Sequence, residues 1–440
     1  MEQGKLIDKL AQQWFLSGLV LGDETIDPEL IDFQKTARWG DFIAIADVVL
    51  TVDDTTIDIF EVKASTKLDK SHYHDVAFQR MVFEGAGYHV RNCFLVHVNK
   101  EYALDGALDF NQMLVANNIN EGVDEILEET KTNAKEAIKF INHPLDASTL
   151  KLGCGNKANC LYLKHYHYSI PEYSVFDINR IGVKKLEALI AQNVWDIQAV
   201  PADFKLTDNQ REQVDLAQAN KITIKTTEIK AQLDVLEYPL YFLDYETFSY
   251  VIPAQQGVRP YQQMVFQYSL HVKENPNAEL QHFEYLLRSK EEPVEHLVAH
   301  MREHIDHTKG TVIVWNDKFE KPRNREMAAQ YPQFNDFLLG MNERVYDLMI
   351  PFSKGLYQHP GFKGSASIKS VLPILCPDLS YKNLEIQSGG NAVIHWHHAT
   401  DGRLSAEEQQ NTFKNLLAYC HLDTLAMVRI WEVLREEIKN

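Results

Sequence analysis

The sequence predicts an α/β protein in three parts: an α/β domain over residues 1–170, a helical connector over 171–236 and a second α/β domain over 237–440. Three observations carry this expectation. Two β-rich runs flank the turn signal Asp53-Asp54 and lead into a helical pattern. The middle of the chain is polar with helical spacing of its few apolar residues, and from Tyr241 strand-type runs alternate with helical ones up to a long terminal helix. With 440 residues, 45% hydrophobic and 24% charged, the chain is long enough for several cores and has the composition of an ordinary globular protein.

Composition also limits function. No run of about 20 apolar residues occurs, so a membrane is not an expected partner. The opening MEQGKLIDKLAQQWFLSGLVLG reads as an amphipathic helix rather than a signal peptide, with Leu6, Leu10, Phe15 and Leu19 near helical spacing. Five cysteines, scattered and odd in number, argue against a disulfide framework and predict a reducing, cytoplasmic setting. The net charge of −18 weighs against a broad phosphate-binding surface. Carboxylates gathered for metals would add to that charge, and basic residues can still act locally. Lys321, Arg323 and Arg325 in KPRNR are candidate substrate-binding residues of that kind.

FIAIADVVLTV and TTIDIFEVKAS are expected to form a hairpin carrying Asp47 on its first strand and Glu61 and Lys63 at the end of its second. Carboxylates there can hold a divalent cation, with the lysine orienting or activating water; the bland alternative is an amphipathic hairpin with solvated charges. A D…E-x-K hairpin resembles the PD-(D/E)XK nucleases. The next helix, SHYHDVAFQRMVFEGAGYHV, places Gln79 four residues before Phe83, which resembles the Q-x-x-x-Y helix of the RecB-type branch with Phe in the Tyr place. RNCFLVHVNKEY reads as a further strand, and residues 120–145 as helix.

Cys154, Cys160, His165 and His167 could form a zinc site, but reduced cysteines beside surface histidines are the preferred reading, and two cysteines are too few for an iron–sulfur cluster. Around Ile181-Gly182-Val183, a helix-hairpin-helix that offers backbone N–H groups to phosphate and a plain packing unit are both open. LTDNQREQVDLAQANK is a polar helix leading to the linker before Tyr241.

In YFLDYETFSY, Asp244 and Glu246 fall on one face of a strand. Side chains of like charge are gathered at a cost unless a hard cation such as Mg²⁺ or Mn²⁺ neutralises them, although a lone D-x-E also occurs on solvated edge strands. QQMVFQYSLHV continues as strand, and TVIVWNDKFEK as a buried strand entering a helix with Glu320, for which Asp317 is a rival. Asp347 follows in VYDL, in a supporting role, and KGSASIKSVLPILCPDLSYKNLEIQSGG is loop and short helix expected to line the substrate cleft. The last helix, LLAYCHLDTLAMVRIWEVL, puts Tyr419 and Asp423 on one face. D-x-E, N-x-x-F-E and Y-x-x-x-D in this order resemble the motifs of the DnaQ-like DEDDy exonucleases, which have an RNase H-like fold.

FEVKAS, HDVAFQ, VNKEY, YFLDYETF, RPYQQMVFQYSLH, WNDKFEK, GSASIKSVLP and AYCHLDTLAMV together resemble an uncharacterised bacterial family, a domain of unknown function, in which a RecB-type nuclease domain precedes a DnaQ-like exonuclease domain. The resemblance implies metal ligands at Asp47 and Glu61 in the first domain, with catalytic Lys63 and Gln79. In the second it implies Asp244, Glu246, Glu320 and Asp423 on two cations ~3.5–4 Å apart, with Tyr419 positioning water. The expected activity is hydrolysis of DNA or RNA with Mg²⁺ or Mn²⁺, including 3′→5′ shortening at the second site. A nucleic-acid-binding or scaffold protein with one or both sites inactive is the alternative.

Overall fold

The computed structural model describes residues 2–17, 20–21, 24–142 and 170–439. It is a mixed α/β structure in two compact units, one of residues 1–146 with 249–262, the other of 147–248 with 263–440. Cys154, Cys160, His165 and His167 lie outside the described residues.

In the first unit, helix α1 (Glu2–Leu16) buries Ile7, Ala11, Trp14 and Phe15, a stripe at helical period. A five-stranded sheet follows, with β1 (Ile31–Trp39), β2 (Phe42–Thr51), β3 (Thr56–Lys63), β4 (His89–Val98) and β5 (Leu114–Asn118) adjacent in that order. The expected β2–β3 hairpin is present, its turn held by Asp53, whose Oδ1 accepts the backbone N–H groups of Thr55 and Thr56. β3 runs parallel to β4, so helix α2 (Lys70–Gly85) crosses between them. Both faces of β3 are covered. Ile57 and Ile59 join the core under α2 and under helix α3 (Asn120–Asn142), whereas Phe60 and Val62 join the core under α1. The period of two therefore turns Glu61 and Lys63 toward the α2 side.

β1 falls outside the strands expected from the sequence. It is an edge strand whose one fully buried residue is Ala37, and Asp32, Lys35 and Arg38 break up any apolar rhythm.

The second unit begins with a small helical core in which Ile178, Leu186, Leu189, Val214 and Ala217 are buried between helix α4 (Val183–Ala191) and helix α5 (Asp208–Ala219). Gly182 caps α4 with φ −74°, and the apolar residues around it serve this core. After helix α6 (Thr226–Leu233) come strands β6 (Leu240–Phe248), β7 (Met264–Lys273) and β8 (Gln281–Leu286), helix α7 (Val294–His304), strand β9 (Thr311–Val314), helices α8 (Asp317–Gln330) and α9 (Asn335–Glu343), and strand β10 (Val345–Asp347). The chain closes with helices α10 (Ile368–Leu375), α11 (Gly389–Thr400) and α12 (Ala406–Glu437). The sheet order is β8-β7-β6-β9-β10, with β6 at the centre, antiparallel to β7 and parallel to β9. On β6, Tyr245 points to α8, where its hydroxyl donates to Asn324 at 2.8 Å. Phe242 packs edge-on to Trp431 of α12, so Asp244 and Glu246, in phase with Phe242, face α12.

Candidate metal-binding sites

In the second unit, Asp244, Glu246 and Asp423 each place a carboxylate oxygen within 4.8 Å of the others; Glu246 and Asp423 are buried and Asp244 half-buried. β6 supplies two of these by its alternation and α12 the third. Burial first, and then mutual repulsion, push the Asp244 and Glu246 carboxyls well above their ordinary range. Asp423 is pushed up to about 6 by burial, against the pull of the Tyr381 hydroxyl, Lys369 and Tyr419. Three acids held this way are under charge strain that a cation would relieve, and an all-oxygen donor set fits Mg²⁺ or Mn²⁺.

Glu320, in the first turn of α8, is 1% exposed, and its Oε2 has no hydrogen-bond partner. Burial is the main reason its carboxyl is raised, with Asp244 the next contributor. It lies outside the group of three. Asp317 instead pairs with Lys321 at 3.1 Å on the helix surface. Asp347 holds the entry to α8: its Oδ1 accepts the N–H of Asn316 at 2.8 Å and that of Met349 at 2.9 Å. Asn316 sits at φ +80°, a left-handed conformation that fixes the direction in which α8 leaves β9.

Two residues of the segment expected to line the cleft, given no role from the sequence alone, complete this site. Lys369 Nζ lies 3.2 Å from the Tyr419 hydroxyl and over the rings of both Tyr381 and Tyr419. Tyr381 donates to Asp423 Oδ1 at 2.6 Å. Both tyrosine hydroxyls are raised, chiefly by burial and then by Asp423, so they stay protonated at neutral pH. Asp244, Glu246, Lys369, Tyr419, Trp315 and Phe319 line one cleft of about 330 Å³. Gly389, which opens α11, lies beside Glu246, whose Oε2 would stand 3.4 Å from a Cβ at that position. Of the proposed substrate-binding residues, Lys321 pairs with Asp317, Arg323 makes a two-pronged bond to Glu326, and Arg325 is exposed.

In the first unit, Lys63 Nζ bridges Glu61 Oε1 at 2.7 Å and Asp75 Oδ2 at 2.8 Å. Gln79 donates to Glu61 Oε2 at 2.6 Å. Asp47 uses Oδ2 to accept the N–H of Val62 and Oδ1 to accept from Gln34. That contact to the backbone holds the end of β3 to the middle of β2 beyond their last ladder pair, Val48 with Phe60. Burial and then Asp47 push Glu61 up to about 7, against Lys63 and Gln79. Burial works against the charge of Lys63, yet its bonds to Asp75 and Glu61 leave its pKa raised. Asp8 of α1 feels Asp47 and Lys63, which places a third acid beside this group. Its sequence signal is an acid three residues before Ala11 and seven before Phe15, on the flank of a buried stripe. Asp75 is marked likewise by standing four residues before Gln79. Among the described residues, Asp8, Asp47 and Glu61 form no cluster as tight as that of Asp244, Glu246 and Asp423.

A family model described as a domain of unknown function (DUF2779) matches residues 241–367, a span that begins on β6 and ends just before α10. No curated protein and no solved structure matches the chain.

Proposed function

We propose that this protein is a metal-dependent nuclease whose second unit shortens DNA or RNA from the 3′ end. The observation that carries the reading is the buried meeting of Asp244, Glu246 and Asp423 in a cleft that also holds Tyr419 and Lys369. Support comes from the order β8-β7-β6-β9-β10, the strand arrangement of an RNase H-like sheet, with the D-x-E on its central strand.

Asp244, Glu246 and Asp423 would hold Mg²⁺ or Mn²⁺, with Glu320 a further carboxylate that feels the charge of Asp244. Bound there, the cation would supply Lewis acidity and offset the charge that develops on the phosphate. Tyr419, protonated at neutral pH, would position water or a phosphate oxygen through its hydroxyl. Lys369 offers positive charge beside it, and Tyr381 keeps the Asp423 carboxylate oriented. Trp315 and Phe319 give the cleft flat apolar walls on which an unpaired terminal base could stack.

For the first unit, the E-x-K strand end with Gln79 supports a PD-(D/E)XK reading. A narrower reading, in which this unit grips substrate without cutting it, is favoured by one observation: both oxygens of Glu61 and both of Asp47 already carry protein hydrogen bonds. End-labelled single- and double-stranded DNA and RNA incubated with the protein and Mn²⁺ test both. A ladder shortening from the 3′ end that disappears in Asp244→Asn supports the proposal. Products unchanged by Asp244→Asn would refute the assignment of the second unit.

A further inference from the structure

A second cluster of metal-type ligands, separate from the three carboxylates, is held by the same sheet and α12. His271 of β7 and His282 of β8 are register partners, and His421 of α12 closes on both. Each offers a ring nitrogen within 4.8 Å of the others, and the ring centroids are 4.2–4.8 Å apart. His421 Nδ1 stands 3.2 Å from His282 Nε2. Two imidazole nitrogens on one tetrahedral Zn²⁺, each bonded at ~2.0 Å, are ~3.3 Å apart. One edge of the coordination polyhedron therefore already has the required length.

The surroundings fit a metal better than a set of ordinary buried histidines. His271 Nδ1 is engaged with Thr424 Oγ1 at 2.8 Å, which fixes the ring and leaves Nε2 for coordination, the arrangement in which a ligating imidazole is oriented by its other nitrogen. Thr424 is itself held by Ser269 at 2.7 Å, and Ser269 Oγ also stands 2.9 Å from His282 Nε2, a contact that a cation bound at that nitrogen would replace. Burial, with the neighbouring imidazoles adding to it, lowers His271 to about 3 and His282 to about 4, so both are neutral and able to bind a cation at neutral pH. Glu284 Oε2, 3.9 Å from His282 Nε2, supplies an oxygen near enough to become a fourth ligand.

We infer that His271, His282 and His421 form a site for a borderline divalent cation, Zn²⁺ above all, with Glu284 or water as the remaining ligand. It is distinct in chemistry from the all-carboxylate cluster, since imidazole selects Zn²⁺ where carboxylates suit Mg²⁺ or Mn²⁺. Its effect would be positional. His421 lies two residues from both Tyr419 and Asp423, so a cation tying it to the β7–β8 hairpin would fix the register of α12 against the sheet.

The inference does not depend on nuclease activity. The full chain, loaded with Zn²⁺ in excess Mg²⁺ and then desalted, should retain one equivalent by elemental analysis, and with Co²⁺ it should show the visible bands of a tetrahedral site. Asp244→Asn should leave this retention intact, while His282→Gln and His421→Gln should each weaken it about ten-fold or more. No retained Zn²⁺ in the unaltered chain, or equal retention in the histidine variants, overturns the inference. Should those variants fail to fold, X-ray absorption at the zinc edge of the unaltered protein still decides: an imidazole-dominated shell supports the site and an oxygen-only shell refutes it.

Discussion

Asp423 is buried where its charge is costly to hold, and the consequence can be measured without substrate. Its folded value of about 6 exceeds the ordinary 3.8, so the folded state prefers the protonated form. The stability linked to that preference is complete below about pH 4 and is lost as pH rises through about 6. Asp244 and Glu246 shift in the same direction. The cation-free protein should therefore resist denaturant better at about pH 5 than at about pH 8. Asp423→Asn, which keeps an acceptor for Tyr381, should stabilise it at the higher pH by on the order of 1–3 kcal/mol while abolishing 3′-end shortening. Equilibrium urea unfolding in EDTA at the two pH values checks this, and a destabilised variant at about pH 8 would contradict it. In the first unit, Lys63→Ala removes the cation between Glu61 and Asp75 and should end any cleavage made there while sparing 3′-end shortening; end-labelled substrates in the Asp244→Asn background isolate the first effect. Asp244, Glu246, Tyr419 and Asp423 were legible in the sequence because strand and helix periods place them on shared faces. For Lys369 and Tyr381 only the segment was legible, as cleft lining, and not their roles, since their partners Tyr419 and Asp423 stand 50 and 42 residues further on and lie in a different element.

β9 and α8 illustrate how an element is aimed rather than merely formed. The strand stops at Val314, and Asn316 turns the chain through a left-handed residue whose N–H is satisfied by Asp347 from the end of β10. Glu320 depends on that turn for its position. Asp347→Ala leaves two backbone N–H groups without their acceptor, which should cost about 1–3 kcal/mol. It should also weaken Mn²⁺ binding if Glu320 adds to the carboxylate cluster; calorimetric titration of the variant reads this directly, and unchanged affinity would place Glu320 outside the site. At the opposite end of β9, Gly310 has φ +84°, and an added Cβ would come within 2.4 Å of the Pro239 carbonyl oxygen. Gly310→Ala should therefore destabilise the second unit, and by more than the ~1 kcal/mol that the same change can gain at a compatible site. The long, periodic α12 and the hairpin β2–β3 announced themselves in the sequence. β1 did not, because an edge strand buries little and can carry charge at alternate positions.

The whole molecule carries a net charge of −18, and its grouping into units departs from simple chain order. Residues 249–262 leave the second unit between β6 and β7 and join the first, where Val251 enters the core with Ile7, Trp14 and Phe60. No local signal in VIPAQQGVRPYQ announces that, because the reason is a contact with residues some 200 positions earlier in the chain. The charge has a sharper consequence for binding. A protein that grips nucleic acid by many Lys and Arg contacts releases many counterions, and its affinity falls steeply with salt. Here Lys321 and Arg323 are already paired with acids of their own helix, leaving Lys369 as the cation of the described cleft. Binding should instead lean on the divalent cation and on stacking in the cleft, neither of which releases many monovalent ions. With Ca²⁺ to occupy the carboxylates without supporting hydrolysis, affinity for a single strand with a free 3′ end should decline with a shallow slope, about −1 to −3 in log–log form against KCl. Removing Ca²⁺ should weaken binding far more than a doubling of KCl does. A slope steeper than about −6, insensitive to Ca²⁺, would mean that an extended basic surface does the binding and that the carboxylate cleft is not where the strand is held.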